Sequence, residues 1–277
     1  MDSTTKKKVS RYSAHIVLIV ASFFFLIPFL WMVSTSLKPL TQVFTFPPEW
    51  IPRPFMWSNY TDAMEYIPFF TYLRNTIVIT VLSTLGAVIS CPLVAYSFAK
   101  LRWPGRNILF IITIGVMMIP GQVTMIPLFL LFEKFGMVGT PYPLIIPAFF
   151  GVPFYIFLLR QFFMGLPDSL REAARIDGAG EFRIYWQIML PLAKPAVLAV
   201  GLFQFMASWT DFIGPLLYLT DSLQYTLSLG LQQFQSQRGS EWGLMMAVST
   251  MMTLPIIVLF FLLQKTFIRG ITFSGIK

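Results

Sequence analysis

Apolar residues gather into six runs, at about residues 14–35, 75–98, 107–131, 141–163, 194–220 and 243–264, separated by polar stretches of very different length. Each run reaches the roughly 20 residues that a helix needs to cross a hydrocarbon core of about 30 Å. Inside lipid a lone segment can satisfy its own backbone only as a helix, so the pattern predicts six spanning helices. The first run follows KKK and Arg11 but is longer than a signal-peptide core and lacks a small-residue cleavage site, so it is read as a retained span. In the second run Thr76, Ser83, Ser90 and Ser97 recur every seven residues, close to two helical turns, with Gly86 beside them. A small, mildly polar stripe of this kind reads first as a helix-packing face and second as a pathway lining. Pro120, Pro127, Pro147, Pro153 and Pro255 fall inside the runs and mark kinks first and hinges second.

Composition sharpens this to a class. Hydrophobic residues make up 56% of the 277 and charged residues 12%, with a mean hydropathy of +0.71. That is an all-α, polytopic membrane helix bundle rather than a soluble domain. The net charge of +8 is unevenly placed. With the amino terminus in the cytoplasm, Lys38, Arg53, Arg74, Lys134 and Arg238 fall outside, and the other fifteen of the twenty Lys and Arg fall inside. They are Lys6, Lys7, Lys8, Arg11, Lys100, Arg102, Arg106, Arg160, Arg171, Arg175, Arg183, Lys194, Lys265, Arg269 and Lys277. The bias predicts both termini inside and accounts for the charge without nucleic acid. One cysteine, Cys91, offers no disulfide framework, and the single His15 has no neighbouring ligands in sequence.

Two polar segments are long. Residues 36 to 74 carry PPEWIPRP, whose prolines stiffen an extracytoplasmic cap or lid. Residues 160 to 194 carry LPDSLREAARIDGAGEFRIYWQIMLP on the cytoplasmic side. Ser169 followed by Glu172 predicts a capping box, Ala173 and Ala174 favour helix, Gly178 suits the left-handed end of a helix, and Pro191 is expected to end a second one. Mixed charge (Arg171, Glu172, Arg175, Asp177, Glu181, Arg183) leaves two readings, a helix pair docked on a protein or one lying in the lipid interface.

Glu172-Ala173-Ala174, three residues, Gly178, nine residues, Ile188, one residue, then Leu190-Pro191 resembles the EAA loop of ABC importer permeases, and Asp177 and Ala179 fit the same pattern. YLRNTIVIT, VAYSFAKLRWPGR, MIPGQVTMIPLF, FLLRQFF and FIRGITFSG extend the resemblance over about residues 66 to 277, on the shorter, six-span member of the carbohydrate-uptake type. The resemblance implies a type I importer transmembrane domain whose loop 165–192 is a coupling-helix pair. In it, Glu172, Ala173, Ala174, Asp177 and Gly178 would meet the ATPase subunit. It also implies a second related permease, two ATP-binding subunits holding ATP and Mg, an extracytoplasmic solute-binding protein, a sugar cargo and a bacterial inner membrane, with no cofactor on this chain. The expected organisation is a tail 1–13, a first span 14–35, an outer segment 36–69, a transmembrane domain 70–265 and a tail 266–277.

Where many such permeases carry Trp-Asn-Glu-Phe, this chain has Trp209-Thr210-Asp211-Phe212. Asp211 is the acidic residue of the fifth run, and an ionisable group there should face protein or water rather than lipid. Two roles stand open, a translocation-pathway or gate residue and a structural hydrogen bond. No GxxxxGK[ST] phosphate loop occurs, so energy is expected from another subunit. The rival reading is an ion- or proton-coupled secondary carrier in which Asp211 titrates, with an intramembrane enzyme a distant third.

Overall fold

A computed structural model describes residues 3–236 and 239–273, with side chains over 13–235 and 241–264. The expected basic groups of both tails (Lys6, Lys7, Lys8, Arg11, Lys265, Arg269 and Lys277) and Arg238 lie outside the described side chains. The chain divides into two compact units, Met1–Phe69 with Leu231–Leu254, and Phe70–Gly230 with Pro255–Lys277.

In the first unit, helix α1 (Ser3–Ser36) begins before the apolar run and carries a candidate span over Ser13–Ser36. None of its most apolar window is buried within the chain. A short α2 (Leu40–Val43) and α3 (Ser58–Tyr66) follow. The chain between them folds back on the end of α1. The Asn59 amide donates to the carbonyls of Ser36 at 2.9 Å and Lys38 at 3.0 Å, and the Met56 N–H donates to Leu37 at 2.9 Å. Trp50 packs edge-on against Trp31 at 5.0 Å, and the Lys38 ammonium lies 3.8 Å from the Trp31 ring centre. Gly243 permits this packing, because a Cβ there would stand 2.9 Å from the Asn59 amide nitrogen. Gln235–Ser236 and Gly239–Ser240 form a two-residue antiparallel pair.

In the second unit, α4 (Phe69–Lys100, from Phe70 onward) is the central staff. Its small-residue stripe is a packing face, as the spacing suggested. Thr76 Oγ1 accepts from the Leu227 N–H at 2.9 Å, Ser83 Oγ meets Ser208 Oγ at 2.7 Å, Ser90 Oγ donates to the Ala148 carbonyl at 2.9 Å, and Ser97 Oγ accepts from Trp103 Nε1 at 3.0 Å. Gly86 lets Phe149 come so near that a Cβ would fall 2.7 Å from its ring. Small groups in membrane helices admit close backbones and interhelical hydrogen bonds, and this face uses both.

The third apolar run is not one straight helix. It is α5 (Arg106–Met117) and α6 (Gly121–Lys134), bent by 102°. Pro120 stands at the break, lacking a donor and steering Ile119 away from helical geometry. The fourth run holds α7 (Tyr142–Phe149) and α8 (Pro153–Gly165), the second with proline in its first turn. Next come α9 (Ser169–Ile176) and α10 (Glu181–Ile184), then a π-helical turn Tyr185–Met189, α11 (Leu190–Leu192) and α12 (Lys194–Trp209). The last short helices are α13 (Ile213–Tyr218) and α14 (Leu227–Gly230), and α15 (Trp242–Phe273) carries the final span to Gln264. Among the described residues, four helical stretches are long and apolar enough to cross a membrane, and up to six if each bent pair counts as one span. Tyr96, Phe98, Tyr155, Leu159, Phe163, Ile184 and Met189 share one buried cluster joining α4 and α8 to the loop beyond.

Candidate functional site

The loop Leu166 to Leu192 is rich in charge for this chain and is tightly held. Lys100, buried at the carboxyl end of α4, donates to the Leu166 carbonyl at 2.7 Å and pairs with Asp168 at 2.6 Å. A cation suits that helix end, where unpaired carbonyls gather negative potential. The Lys100 ammonium holds the Asp168 carboxyl below its ordinary range. With its carboxylate so occupied, Asp168 caps α9 through its backbone, its carbonyl accepting from the Arg171 and Glu172 N–H groups at 3.0 Å. No side-chain cap bond forms there. The expected Ser169–Glu172 capping box is therefore corrected: Ser169 is already inside the helix, one residue too late to be its cap.

Gly178 does what its position suggested. At φ = +80° it takes the left-handed conformation, with the Gly178 N–H donating to the Arg175 carbonyl at 3.0 Å and the Ala179 N–H to the Ala174 carbonyl at 2.9 Å. This doubled bond pattern closes a Schellman turn. A Cβ on Gly178 would meet nothing within 4 Å, so the requirement is conformational and not spatial.

Glu181, which the sequence placed only among the loop's mixed charges, is the hub of the loop. Its carboxylate accepts from Arg171 Nη2 at 2.9 Å, Arg175 Nε at 2.8 Å and the Tyr96 hydroxyl at 2.8 Å. Partial burial pushes its carboxyl up, but the bonds from Arg171, Tyr96 and Arg175 outweigh this and leave it below the ordinary value. One carboxylate thus ties α9 and α10 to α4. A visible signal was the pair of arginines four apart on one helix, followed by an acid opening the next.

Ala173 and Ala174 part company. Ala174 is buried in the cluster with Ile184 and Phe163, whereas Ala173 is exposed with Glu172, Asp177 and Gly178. Beside them Ile176, 87% exposed, projects from the end of α9, a feature sequence patterning did not single out. Pro191 does not end the second helix either. The helical path continues to Leu192, and the 77° bend into α12 falls at Ala193. The π turn explains this correction: the Leu190 N–H reaches back five residues to the Tyr185 carbonyl. The widened turn makes room for a ring that would otherwise strike the carbonyl four residues earlier.

Trp209, Thr210, Asp211 and Phe212 lie where the fifth run breaks, between α12 and α13. Trp209 is buried and stacks on Phe205 at 5.3 Å. Thr210 is exposed and bonds the Met206 carbonyl at 2.8 Å. The half-buried Asp211 carboxylate accepts the Gly214 N–H at 3.1 Å, and Gly214 allows it, since a Cβ there would clash with that carboxylate and with Leu144 at 2.8 Å.

Bent apolar helices with a small-residue packing face, and one charged loop braced by ion pairs, make this a multi-pass membrane helix protein. A family model described as the binding-protein-dependent transport system inner membrane component matches residues 91–273. The chain is similar to the arabinooligosaccharides transport system permease protein AraQ of Bacillus subtilis, 31% identical over 97% of this chain and 96% of that one. It is 32% identical to the sn-glycerol-3-phosphate transport system permease protein UgpE of Yersinia enterocolitica, over 94% of this chain and 95% of the relative. Its fold matches a chain of a bacterial ABC transporter involved in import of the acidic polysaccharide alginate, with TM-score 0.80, 24% identity and coverage of 96% and 98%. The chain belongs to the family of binding-protein-dependent transport inner-membrane components. It is the membrane-spanning permease of an ABC importer, not an enzyme, and the secondary-carrier reading is not favoured.

Proposed function

We propose that this permease, paired with a second related one, forms the pathway for a saccharide or small oligosaccharide. In this reading the loop Asp168 to Pro191 is gripped by an ATP-binding subunit that holds ATP and Mg. The observation that carries it is the division of labour in the loop. Arg171, Ala174 and Glu181 face inward and brace it, while Glu172, Ala173, Ile176 and Asp177 are left exposed on or just beyond one short helix. An exposed apolar knob ringed by charge suits a groove on a protein better than open water. The braced turn then moves as one body, so closure of two ATP-binding subunits would tilt α4 and switch access to the pathway. The Lys and Arg bias supports both termini in the cytoplasm, and the family's description supports a solute-binding protein delivering cargo on the other side.

The saccharide class is supported by relatives named for arabinooligosaccharides and diacetylchitobiose. The relative named for sn-glycerol-3-phosphate makes a polyol phosphate the second reading. Of the two roles for Asp211, its bond to the Gly214 N–H favours the structural one.

Extraction of the assembled importer in mild detergent tests the docking. Burying Ile176 is worth about 2 kcal/mol, so Ile176→Asp should weaken retention of the ATP-binding subunit roughly thirtyfold, and Glu172→Lys should weaken it further. Both positions are exposed, so the fold survives. Undiminished retention in the double variant contradicts the proposal.

A further inference from the structure

The segment from Phe44 to Trp57 in the first unit carries a band of exposed aromatic and apolar side chains. Phe46 is 94% exposed, Phe44 71%, Trp57 67%, Ile51 61% and Phe55 51%, and Phe55 and Trp57 stack at 6.4 Å. An extracytoplasmic lid standing in water would hide such groups or lack them. The depth of the segment can be read from α1. Trp50 sits on Trp31, and its carbonyl accepts from Ser34 Oγ at 2.5 Å. Trp31 lies five residues before the end of the span at Ser36, about 7–8 Å along the helix axis. The segment therefore descends beside the last turns of a helix that crosses the membrane, to the depth of about 5–10 Å at which interfacial segments bury their apolar faces.

Three further observations favour lipid as the occupant. The surface is continuous with α1, whose most apolar window is uncovered by the rest of the chain. Two of its polar side chains are tied to one another and to the backbone: Gln42 Nε2 donates to the Glu49 carboxylate at 2.6 Å, and the Arg53 N–H donates to Gln42 Oε1 at 3.0 Å. The neighbouring α3 presents Asp62 and Glu65 instead, the pattern of a helix in water. Trp and other aromatic rings collect where headgroups meet acyl chains.

We infer that residues 44–57 are a membrane-embedded interfacial anchor, seated in the headgroup and upper acyl layer of the leaflet at the carboxyl end of α1. It fixes the depth and tilt of that helix. In the complete importer in nanodiscs, on a Cys91→Ala background, the environment-sensitive fluorophore NBD is attached to Phe46→Cys, Phe55→Cys and, as a control, Asp62→Cys. Phosphatidylcholine brominated near the top of its acyl chains is the quencher. NBD at positions 46 and 55 is expected to emit at shorter wavelength than at 62 and to be quenched at least about twofold more. Equal, water-like emission at all three positions overturns the anchor in favour of a soluble cap. Blue-shifted emission that brominated lipid leaves unquenched overturns it in favour of a protein partner. Phe46 is almost wholly exposed, so its replacement disturbs no packing within the chain.

Discussion

The loop 166–192 and the segment 37–57 are both long interruptions between apolar runs, yet they are held by opposite means. The loop is braced by charge: Lys100 on Asp168, and Arg171, Arg175 and Tyr96 on Glu181. The segment is held mainly by the Asn59 amide on backbone carbonyls and by rings, with a single carboxylate contact from Gln42 to Glu49, and its one buried cation, Lys38, has no hydrogen-bond partner for its ammonium and rests over Trp31. Charge-assisted bonds fix direction, which suits a lever that must pass on a force. Aromatic contacts tolerate sliding, which suits a piece that settles in a lipid interface.

The contrast is easiest to break at Glu181. Glu181→Ala removes the bonds of three partners to one carboxylate and leaves the largely buried Arg171 guanidinium short of a partner, so the loop should lose about 2–3 kcal/mol of local stability. Faster amide exchange across residues 169–190, with α4 unchanged, is the expected reading. Gly178→Ala comes next, costing about 1–2 kcal/mol for a side chain forced into the left-handed region. Gly178→Asn should recover part of this, and a thermal unfolding series in detergent ranks the three. On the other side of the comparison, Lys38→Met keeps the apolar stem and removes the buried charge. Melting temperature should hold or rise, because burial already pushes the Lys38 ammonium down towards its neutral form.

The smallest effect is on pH. Asp168 and Glu181 are both held below the ordinary carboxylate range, so their contribution is complete above a pH of about 4 and is lost as pH falls through their depressed values. Exchange in the loop, corrected for intrinsic rates, should be flat from pH 7 to about 5 and rise only in stronger acid.

Much of this was legible in the sequence, for identifiable reasons. Hydropathy located the six runs because lipid imposes one rule on every spanning residue. The Thr76 to Ser97 stripe and Gly178 were legible because a helical period and a positive φ depend on local chemistry. Pro120 was legible as a kink, but not the 102° of it. Pro191 misled because the π turn that accommodates it depends on a bond from Leu190 to Tyr185 that no composition rule predicts. Glu181 was hidden because its partners lie on two other helices, one of them about 85 residues back in sequence, and Ala174 was separated from Ala173 only once the packing on Phe163 and Ile184 was known.

The central claim is that the loop transmits work from a nucleotide-binding partner. The direct measurement is uptake of a labelled saccharide that the cognate solute-binding protein binds, into proteoliposomes holding the permease pair with that protein, with and without the ATP-binding subunits and ATP. Accumulation is expected only when those subunits and ATP are both present. It should fall at least about tenfold in Ile176→Asp with Glu172→Lys, while ATP hydrolysis ceases to follow cargo. Accumulation at the full rate in vesicles lacking the ATP-binding subunits would contradict the account.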